Sequence, residues 1–281
     1  MIILKTSVEL LKWRSSINSS QSIGFIPTMG ALHEGHLSLM RRSLDECDFS
    51  CVSIFINPLQ FGAGEDLASY PQDLDGDLKK IGDIGVDVVF VPNENDIYGD
   101  NDSLTVTEAG LSEVLEGKSR PDFFRGVLTV VCKLFNLVQP ASAYFGKKDA
   151  QQLLVIQKMV EDMKYPIGII PCETVREHNG LAMSSRNEYL NREQRDSAKL
   201  IYLSLLHAKK LVCGGELNPS IIKREIKDVI LSVPGFHIDY ISISDTNTLL
   251  EIDGEMTMNS GVIILLAVFL NGVRLIDNIH I

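Results

Sequence analysis

The chain has 281 residues, too many for one small domain and enough for either one large α/β domain or two of unequal size. Its 26 Lys and Arg stand against 37 Asp and Glu, a net charge of -11, so its overall field repels nucleic acid and anionic membranes, and a polyanionic ligand needs a local basic pocket. A hydrophobic share of 45% supports a sizeable core, and Cys47, Cys51, Cys132, Cys172 and Cys213 form no C-x-x-C pair, which reads as buried reduced thiols of a cytoplasmic protein rather than a disulfide framework or zinc site.

The opening MIILKTSVELLKWRSS has no extended apolar stretch with a cleavage site, so no targeting segment is expected. Thr6 and Glu9 have the spacing of a capping box, which opens a helix over Leu10, Leu11 and Trp13. A strand at 22–27 follows, then a helix with Leu37, Met40 and Leu44 at helical spacing, then the strand FSCVSIFI at 49–56, together one βαβ unit. The loop NPLQFGAGEDLASYPQ is too long for a mere connector and is a candidate lid or substrate loop. A helix near 74–82 leads to the strand VDVVFV at 86–91. Another helix carries Val127, Val131, Leu134 and Val138 on one face, followed by the strand ASAYF and a helix with Leu153, Ile156, Met159 and Val160. Strands without polar alternation, separated by amphipathic helices, predict an α/β fold with a parallel sheet covered on both sides. Beyond about residue 190 come helical patterns at 191–212 and 219–232 and strand-like runs at 236–243 and 262–269, which read as a smaller α+β domain. The apolar run Val262–Leu270 is far short of a bilayer span, and the chain reads as soluble.

In a parallel sheet the ligand crevice lies beyond the carboxyl ends of the strands, which is where TMGALHEGH falls. A helix beginning near Gly35 directs unpaired N–H groups and a positive dipole end towards an anion. Gly30 and Gly35 let the backbone come close, and His33 and His36, at i and i+3, project together as N–H donors. Two donors and a helix end suit a phosphate. The bare histidine pair also fits a surface cap or half of a metal site, but nothing at local spacing completes a zinc site. The whole pattern of strand, T-x-G, H-x-G-H and amphipathic helix points to a nucleotide, with Met29, Gly30, Ala31, Leu32, His33, Glu34, Gly35 and His36 as its candidate binding stretch.

H-x-G-H after a strand resembles the signature of a nucleotidyltransferase superfamily that includes class I aminoacyl-tRNA synthetases. IPTMGALHEGHLSL, SIFINPLQF, DLASYPQ, LEGKSRPDFFRGV, KLFNLVQPASAYFGKKDAQQL, VREHNGLAMSSRNEYL and RLIDN are similar, in that order, to blocks of the pantothenate synthetase family, so the resemblance spans nearly the whole chain. It implies ATP-dependent ligation of pantoate to β-alanine, a Rossmann-like domain over 1–175 for ATP and pantoate, and a smaller C-terminal domain over 176–281 carrying the MSSR loop. It also implies magnesium and a homodimer.

The chemistry needs no protein nucleophile. A carboxylate accepts an amine only after its oxygen becomes a good leaving group, which adenylylation supplies, so catalysis rests on positioning and on stabilising phosphate charge. The resemblance makes His36 a proton donor beside His33; a helix N-terminus disfavours imidazolium by on the order of 1 kcal/mol at most, so either ring can also donate while neutral. The F-G-x-K-D pattern implies Lys148 at the phosphates, Lys147 at the variable position, Gly146 at close approach and Asp149 on the ribose. In MSSRN, Ser184, Ser185 and Arg186 resemble a mobile cationic loop for the departing pyrophosphate, and Val175 and Met183 match positions whose backbones receive adenine. Gln60 and Gln152 match pantoate ligands, Gln60 also reaching towards β-alanine, and Asn57 shapes the pocket. No residue is assigned to a metal. Two positions depart from the pattern: Phe123 stands where a histidine is usual, near Arg125, and Gly76 stands where an acidic residue commonly precedes Asp77, which weakens an acidic pair for magnesium. Two other readings stay open, a nucleotidyltransferase that stops at a phosphorylated acceptor and a nucleotide-binding regulator without catalysis.

Overall fold

A computed structural model of the protein describes residues 1–257 and 261–281. The chain divides into two compact units, the first made of Met1–Ser112, Arg120–Lys147 and Gln152–Glu173, the second of Glu113–Ser119, Lys148–Gln151 and Thr174–Ile281. Among the described residues no helix is long and apolar enough to cross a membrane.

In chain order the elements begin β1 (Ile2–Leu4), α1 (Ser7–Ser16), β2 (Ile23–Thr28), α2 (Glu34–Glu46), β3 (Phe49–Ile54), α3 (Leu74–Ile84), β4 (Val88–Phe90) and α4 (Glu94–Ile97). They continue with α5 (Glu116–Ser119), α6 (Phe123–Val138), β5 (Ser142–Gly146), α7 (Ala150–Asp162) and β6 (Gly168–Cys172). The predicted box caps α1, with Glu9 N–H donating to Thr6 and the Glu9 carboxylate accepting from the Thr6 N–H. The six strands form one parallel sheet in the order β1-β4-β3-β2-β5-β6. Successive strand residues feed opposite cores, Phe25, Cys51 and Val88 on the face of α6, Ile26, Val52 and Val89 on the face of α2 and α3. Burial on both faces is why the strands show no polar alternation.

Three strands lie outside the sequence expectations, two of them in this sheet. β1 is a three-residue edge strand whose Ile2 and Ile3 stay exposed, too short to carry a pattern. β6 contains Pro171, which an edge position tolerates because one row of its backbone groups has no ladder to join.

The second unit carries α8 (Arg192–Ser197), α9 (Lys199–Cys213), α10 (Pro219–Leu231), β7 (Phe236–Asp245), β8 (Val262–Leu270) and β9 (Val273–His280), the third unexpected strand. The single helical pattern expected over 191–212 is broken at Ala198, which caps α8 and starts α9. The strands form an antiparallel sheet in the order β7-β8-β9, with Ile201, Leu205, Ile222, Ile226 and Ile264 in a core shared with α9 and α10. Asn271 and Gly272, at φ 48 and 89, join β8 to β9 in the two-residue turn that suits twisted strands.

Strand β9 anchors three separate segments of this unit. Arg274 donates to Glu116 at 2.7 and 2.9 Å and to Asp239 at 2.6 Å, and Tyr240 donates to Glu116 at 2.7 Å. Burial and the Glu116 carboxylate push the Tyr240 phenol up, so it remains a donor. Asp277 receives Arg176, which also lies over the Tyr202 ring, and Asn278 Nδ2 donates to the Lys148 carbonyl at 2.8 Å. Around Arg176 the chain makes a hairpin-like turn, with Gly180 at φ 94 and Met183 N–H donating to the Val175 carbonyl at 3.0 Å. Glu177 ties this turn to the segment leading into α8, accepting from Asn187 at 2.8 Å and from Arg195 at 2.8 Å. Burial pushes the Glu177 carboxyl up, but the bonds from Arg195 and Asn187 outweigh it and hold it below its ordinary value.

Glu116→Ala removes one of the two carboxylates that hold a largely buried Arg274 and the acceptor of the Tyr240 phenol, and we expect it to lower unfolding free energy by about 3 kcal/mol, read from urea denaturation; a change within about 0.5 kcal/mol contradicts this account of the cluster. A carboxyl lowered on folding contributes stability above its unfolded pKa and loses it as pH falls through the folded value. Glu177→Gln therefore flattens the acid limb of the stability curve between about pH 6 and pH 3 relative to the parent, and an unchanged slope refutes the assignment.

Candidate functional site

The order in which strands are added reverses between β2 and β5, with β3 and β4 laid to one side of β2, and β5 and β6 to the other. The neighbours β2 and β5 pair at Gly24 with Ser142 and Phe25 with Ala143, then run on, from 26 to 28 and from 144 to 146, without pairing to each other. On its other side β2 stays paired with β3 through Thr28 and Ile54. A crevice therefore opens at the carboxyl ends of β2 and β5, the switch point where open parallel sheets bind ligands.

The segment leaving β2 is a tight turn. Gly30 and Ala31 have φ of 84 and 50, and the Ala31 and Leu32 N–H groups donate to Asp77 Oδ2 at 2.7 Å and Oδ1 at 2.8 Å. Those two N–H groups are spent on a carboxylate of the protein itself. Helix α2 then starts one residue before the expected Gly35, with His33 as its N-cap. His33 Nδ1 accepts from the Gly35 N–H at 3.2 Å and His36 Nδ1 from the His33 N–H at 3.4 Å. The rings lie close, tilted 32° to each other, with centroids 4.1 Å apart. Because each Nδ1 faces an N–H donor, the neutral ring carries its proton on Nε2, so the pair offers two Nε2–H donors. Glu34 is exposed and pairs with Arg41, away from this role.

The substrate-loop residues are ordered by a relay of hydrogen bonds. Burial, with Glu94 nearby, pushes the Tyr98 phenol up, keeping it protonated, and its O–H donates to Asn57 Oδ1 at 2.7 Å. That fixes the Asn57 amide, whose Nδ2 donates to the Gly126 carbonyl and to Gln60 Oε1, each at 3.1 Å. Gln60 is thereby turned so that its NH₂ group is the presented end, directed at Met29 Sδ. Tyr98 and Gly126 lie outside the sequence expectations. A Cβ on Gly126 would sit 2.2 Å from the Leu59 carbonyl oxygen, so this glycine allows α6 to touch the loop, and a glycine inside an apolar helix pattern is the signal that marks it.

Arg120 grips the same loop. It donates to both oxygens of Glu65, at 2.7 and 2.6 Å, and to the Gln60 carbonyl at 3.2 Å. Phe123 lies under its guanidinium, 3.8 Å from the ring centre. The charged neighbour of Phe123 is thus Arg120, whereas Arg125 is exposed and pairs with Asp122. The aromatic at 123 replaces a polar contact by a stacked one.

Past β5, Gly146 leads to Lys147, which forms an exposed ion pair with Glu173. Gln152 is half-buried on α7 in the same unit. In the second unit Lys148, with 18% of its side chain exposed, lies 3.8 Å from Asp149. Its neighbour Gln151 is structural, accepting from the Glu116 N–H and donating to the Val114 carbonyl. Ser184 caps the turn over 185–189 by accepting from the Arg186 N–H at 3.3 Å, and Ser185 is buried. Val175 and Met183 are the backbone pair of the hairpin-like turn. Among the described residues no group of three His, Cys, Asp or Glu side chains comes together as a metal cage. Gly76 has no carboxylate and a Cβ there would meet Asp73 at 2.0 Å, while Asp77 is committed to the turn, so this pair does not fit a magnesium ion.

The Pantoate-beta-alanine ligase family matches residues 2–280 of the chain. The pantothenate synthetase of Thermosipho africanus is 50% identical over 268 residues, 95% of each chain, and that of Heliobacterium modesticaldum 46% identical over 279 residues, 99% of this chain and 98% of its own. Among solved structures, pantothenate synthetase from Thermus thermophilus aligns with a TM-score of 0.93 at 40% identity, covering 99% of both chains. The pantoate-beta-alanine ligase from Francisella tularensis, complexed with beta-gamma ATP and beta-alanine, aligns with a TM-score of 0.83 at 36% identity, covering 99% of this chain and 97% of its own. With a whole-length family match, half of the aligned residues identical to a named relative, and a sheet that opens at a histidine-capped helix, this chain belongs to the pantoate-beta-alanine ligase family.

Proposed function

We propose that this ligase forms pantothenate in two half-reactions on ATP. In the first, a carboxylate oxygen of pantoate attacks the α-phosphorus, making a C–O–P linkage as the bond to pyrophosphate breaks. In the second, the neutral amine of β-alanine attacks the acyl carbon, the C–O bond to AMP breaks, and the nitrogen releases a proton. Neither step asks for a protein nucleophile, only for oriented donors around developing phosphate charge.

The observation that carries this reading is the pair of Nδ1 atoms pinned by backbone N–H groups at the crevice of the sheet, which makes His33 and His36 preoriented Nε2–H donors. We assign them to the phosphates, with His36 as the proton donor. Gln60, set by Asn57, and Gln152 are assigned to pantoate, the Gln60 NH₂ suiting a hydroxyl or carboxylate oxygen. From the second unit, Lys148 and Arg186 are assigned to the phosphates with Ser184 and Ser185, Asp149 to the ribose, and the backbones of Val175 and Met183 to adenine. Met29, Gly30, Gly35 and Gly146 supply close backbone approach. Ala31 and Leu32 shape the turn, since their N–H groups serve Asp77. Lys147, held by Glu173, belongs at the rim. Magnesium enters as the chelate of the ATP substrate, keeping its waters, which is how that ion usually meets a triphosphate. The reading includes a homodimer in the cytoplasm; the five cysteines are free, which suits a reducing compartment, though only Cys51, Cys132 and Cys172 are buried as expected, Cys47 being half-buried and Cys213, at the end of α9, exposed.

With ATP and magnesium, the purified protein is expected to exchange labelled pyrophosphate into ATP only when pantoate is present, and β-alanine should draw the adenylate on to pantothenate and AMP. Exchange without pantoate supports plain nucleotidyl transfer instead, and no exchange at all supports a non-catalytic binder. His36→Ala and Lys148→Ala should each slow adenylate formation by about 10²-fold, the scale of losing one preorganised donor; parental turnover by either folded variant removes that residue from the mechanism.

A further inference from the structure

We propose that Asp77, seconded by Lys80, is a positioning residue that sets the aim of His33 and His36 by gripping the turn between β2 and α2. The inference rests on the ligase reading above and adds to it a part for α3.

Asp77 is 1% exposed, and its two oxygens divide between two consecutive peptide groups, Oδ2 taking the Ala31 N–H and Oδ1 the Leu32 N–H. Lys80, one turn along α3, stands 3.6 Å from Asp77 Oδ1 and donates to the Leu32 carbonyl at 2.8 Å. The Leu32 residue is therefore held at its N–H and its C=O by an i, i+3 pair from one helix. Consecutive N–H groups converging on one anion are the geometry by which backbone turns bind anions, and here the anion is built in. The carboxylate sits in the first turn of α3, where the helix end favours negative charge.

The grip holds a conformation that the chain resists. Ala31 is a non-glycine residue at φ 50, following Gly30 at φ 84, and a side chain in this region is crowded against its own backbone. A Cβ on Gly30 would lie 3.1 Å from Asp77 Oδ2, a tight contact that adds to the strain a side chain would already meet at φ 84. Immediately beyond stand the His33 cap and the Nδ1 bonds that choose the ring tautomers. If the turn relaxes, Ala31 reverts to an ordinary φ, the direction of the chain entering α2 changes, and the Nε2–H donors lose their common aim.

The test compares the parent with Asp77→Asn, with the same variant carrying Ala31→Gly, and with Lys80→Met, a half-exposed change that leaves the core intact. Pantoate-dependent pyrophosphate exchange, melting temperature, magnesium dependence and the imidazole ¹⁵N spectrum are measured on each. An amide offers one acceptor and turns a donor on the second N–H, so Asp77→Asn should lose about 10- to 100-fold in kcat, with KM for pantoate within about 3-fold. Glycine at 31 adopts the turn without a grip and should recover at least about 5-fold of that loss. Lys80→Met should lower kcat by about 3- to 10-fold with the parental melting temperature. The spectrum, which needs no activity, should show Nε2–H tautomers for both histidines in the parent and averaged signals in Asp77→Asn. Parental kcat with unchanged imidazole signals in Asp77→Asn overturns the proposal, as does a several-fold rise in the magnesium requirement, which would make Asp77 a metal ligand. A parent lacking pantoate-dependent exchange defeats the ligase reading instead, and the imidazole spectra then decide the grip separately.

Discussion

The parting of β2 from β5 is the constraint on which the site depends. The residues that follow β2 build α2 against one face of the sheet, with Leu39 and Met40 in its core, while those that follow β5 build α7 against the other, with Leu153 and Ile156 in the opposite core. Two neighbouring strands that send their chains to opposite faces cannot stay paired to their ends. The first peptide groups and side chains beyond the parting become the lining of a crevice. Hydrophobic burial on both faces, a non-directional force, thus produces a directional feature: a polar notch at one edge of an apolar sheet.

Around that notch, orientation is handed inward from groups with no chemistry of their own. A phenol kept protonated by burial decides which way Asn57 turns, and Asn57 decides which end Gln60 presents. Backbone N–H groups decide which nitrogen of each histidine bears a proton. Such arrangements fit a reaction whose demand is placement rather than nucleophilicity, because dipoles already aligned need no reorganisation when charge moves.

Much of this is legible in the sequence where one signal has one cause. The capping box of α1, the apolar face of α6, the unalternating strands and the H-x-G-H turn each follow from a local rule, and the Rossmann-like fold with a smaller α+β part follows from their order. Elements whose existence depends on tertiary pairing are silent: β1 is too short for a period, β6 carries a proline, and β9 is interrupted without period by the polar residues Arg274, Asp277 and Asn278, which have structural partners. The Asn-Gly pair before β9 is the one hairpin signal that would have revealed that strand. At the site, residues of characteristic chemistry stand out, whereas Tyr98, Gly126, Arg120 and Asp77 gain their roles only from what folds against them. Asp77 is the sharpest instance, since the family resemblance sets it at an acidic pair for magnesium and only the buried geometry shows it bonded to backbone.

Strand β9 is made after all three segments it secures, Glu116 near the middle of the chain, the Lys148 carbonyl, and Arg176 at the head of the hairpin-like turn. Those segments emerge from the ribosome with their permanent partner not yet synthesised. Until translation has passed Asn278, these three segments lack the hydrogen-bond partners that β9 supplies. The polar bonding of the second unit is therefore closed by long-range contacts, which tie residues far apart in the chain to its third strand.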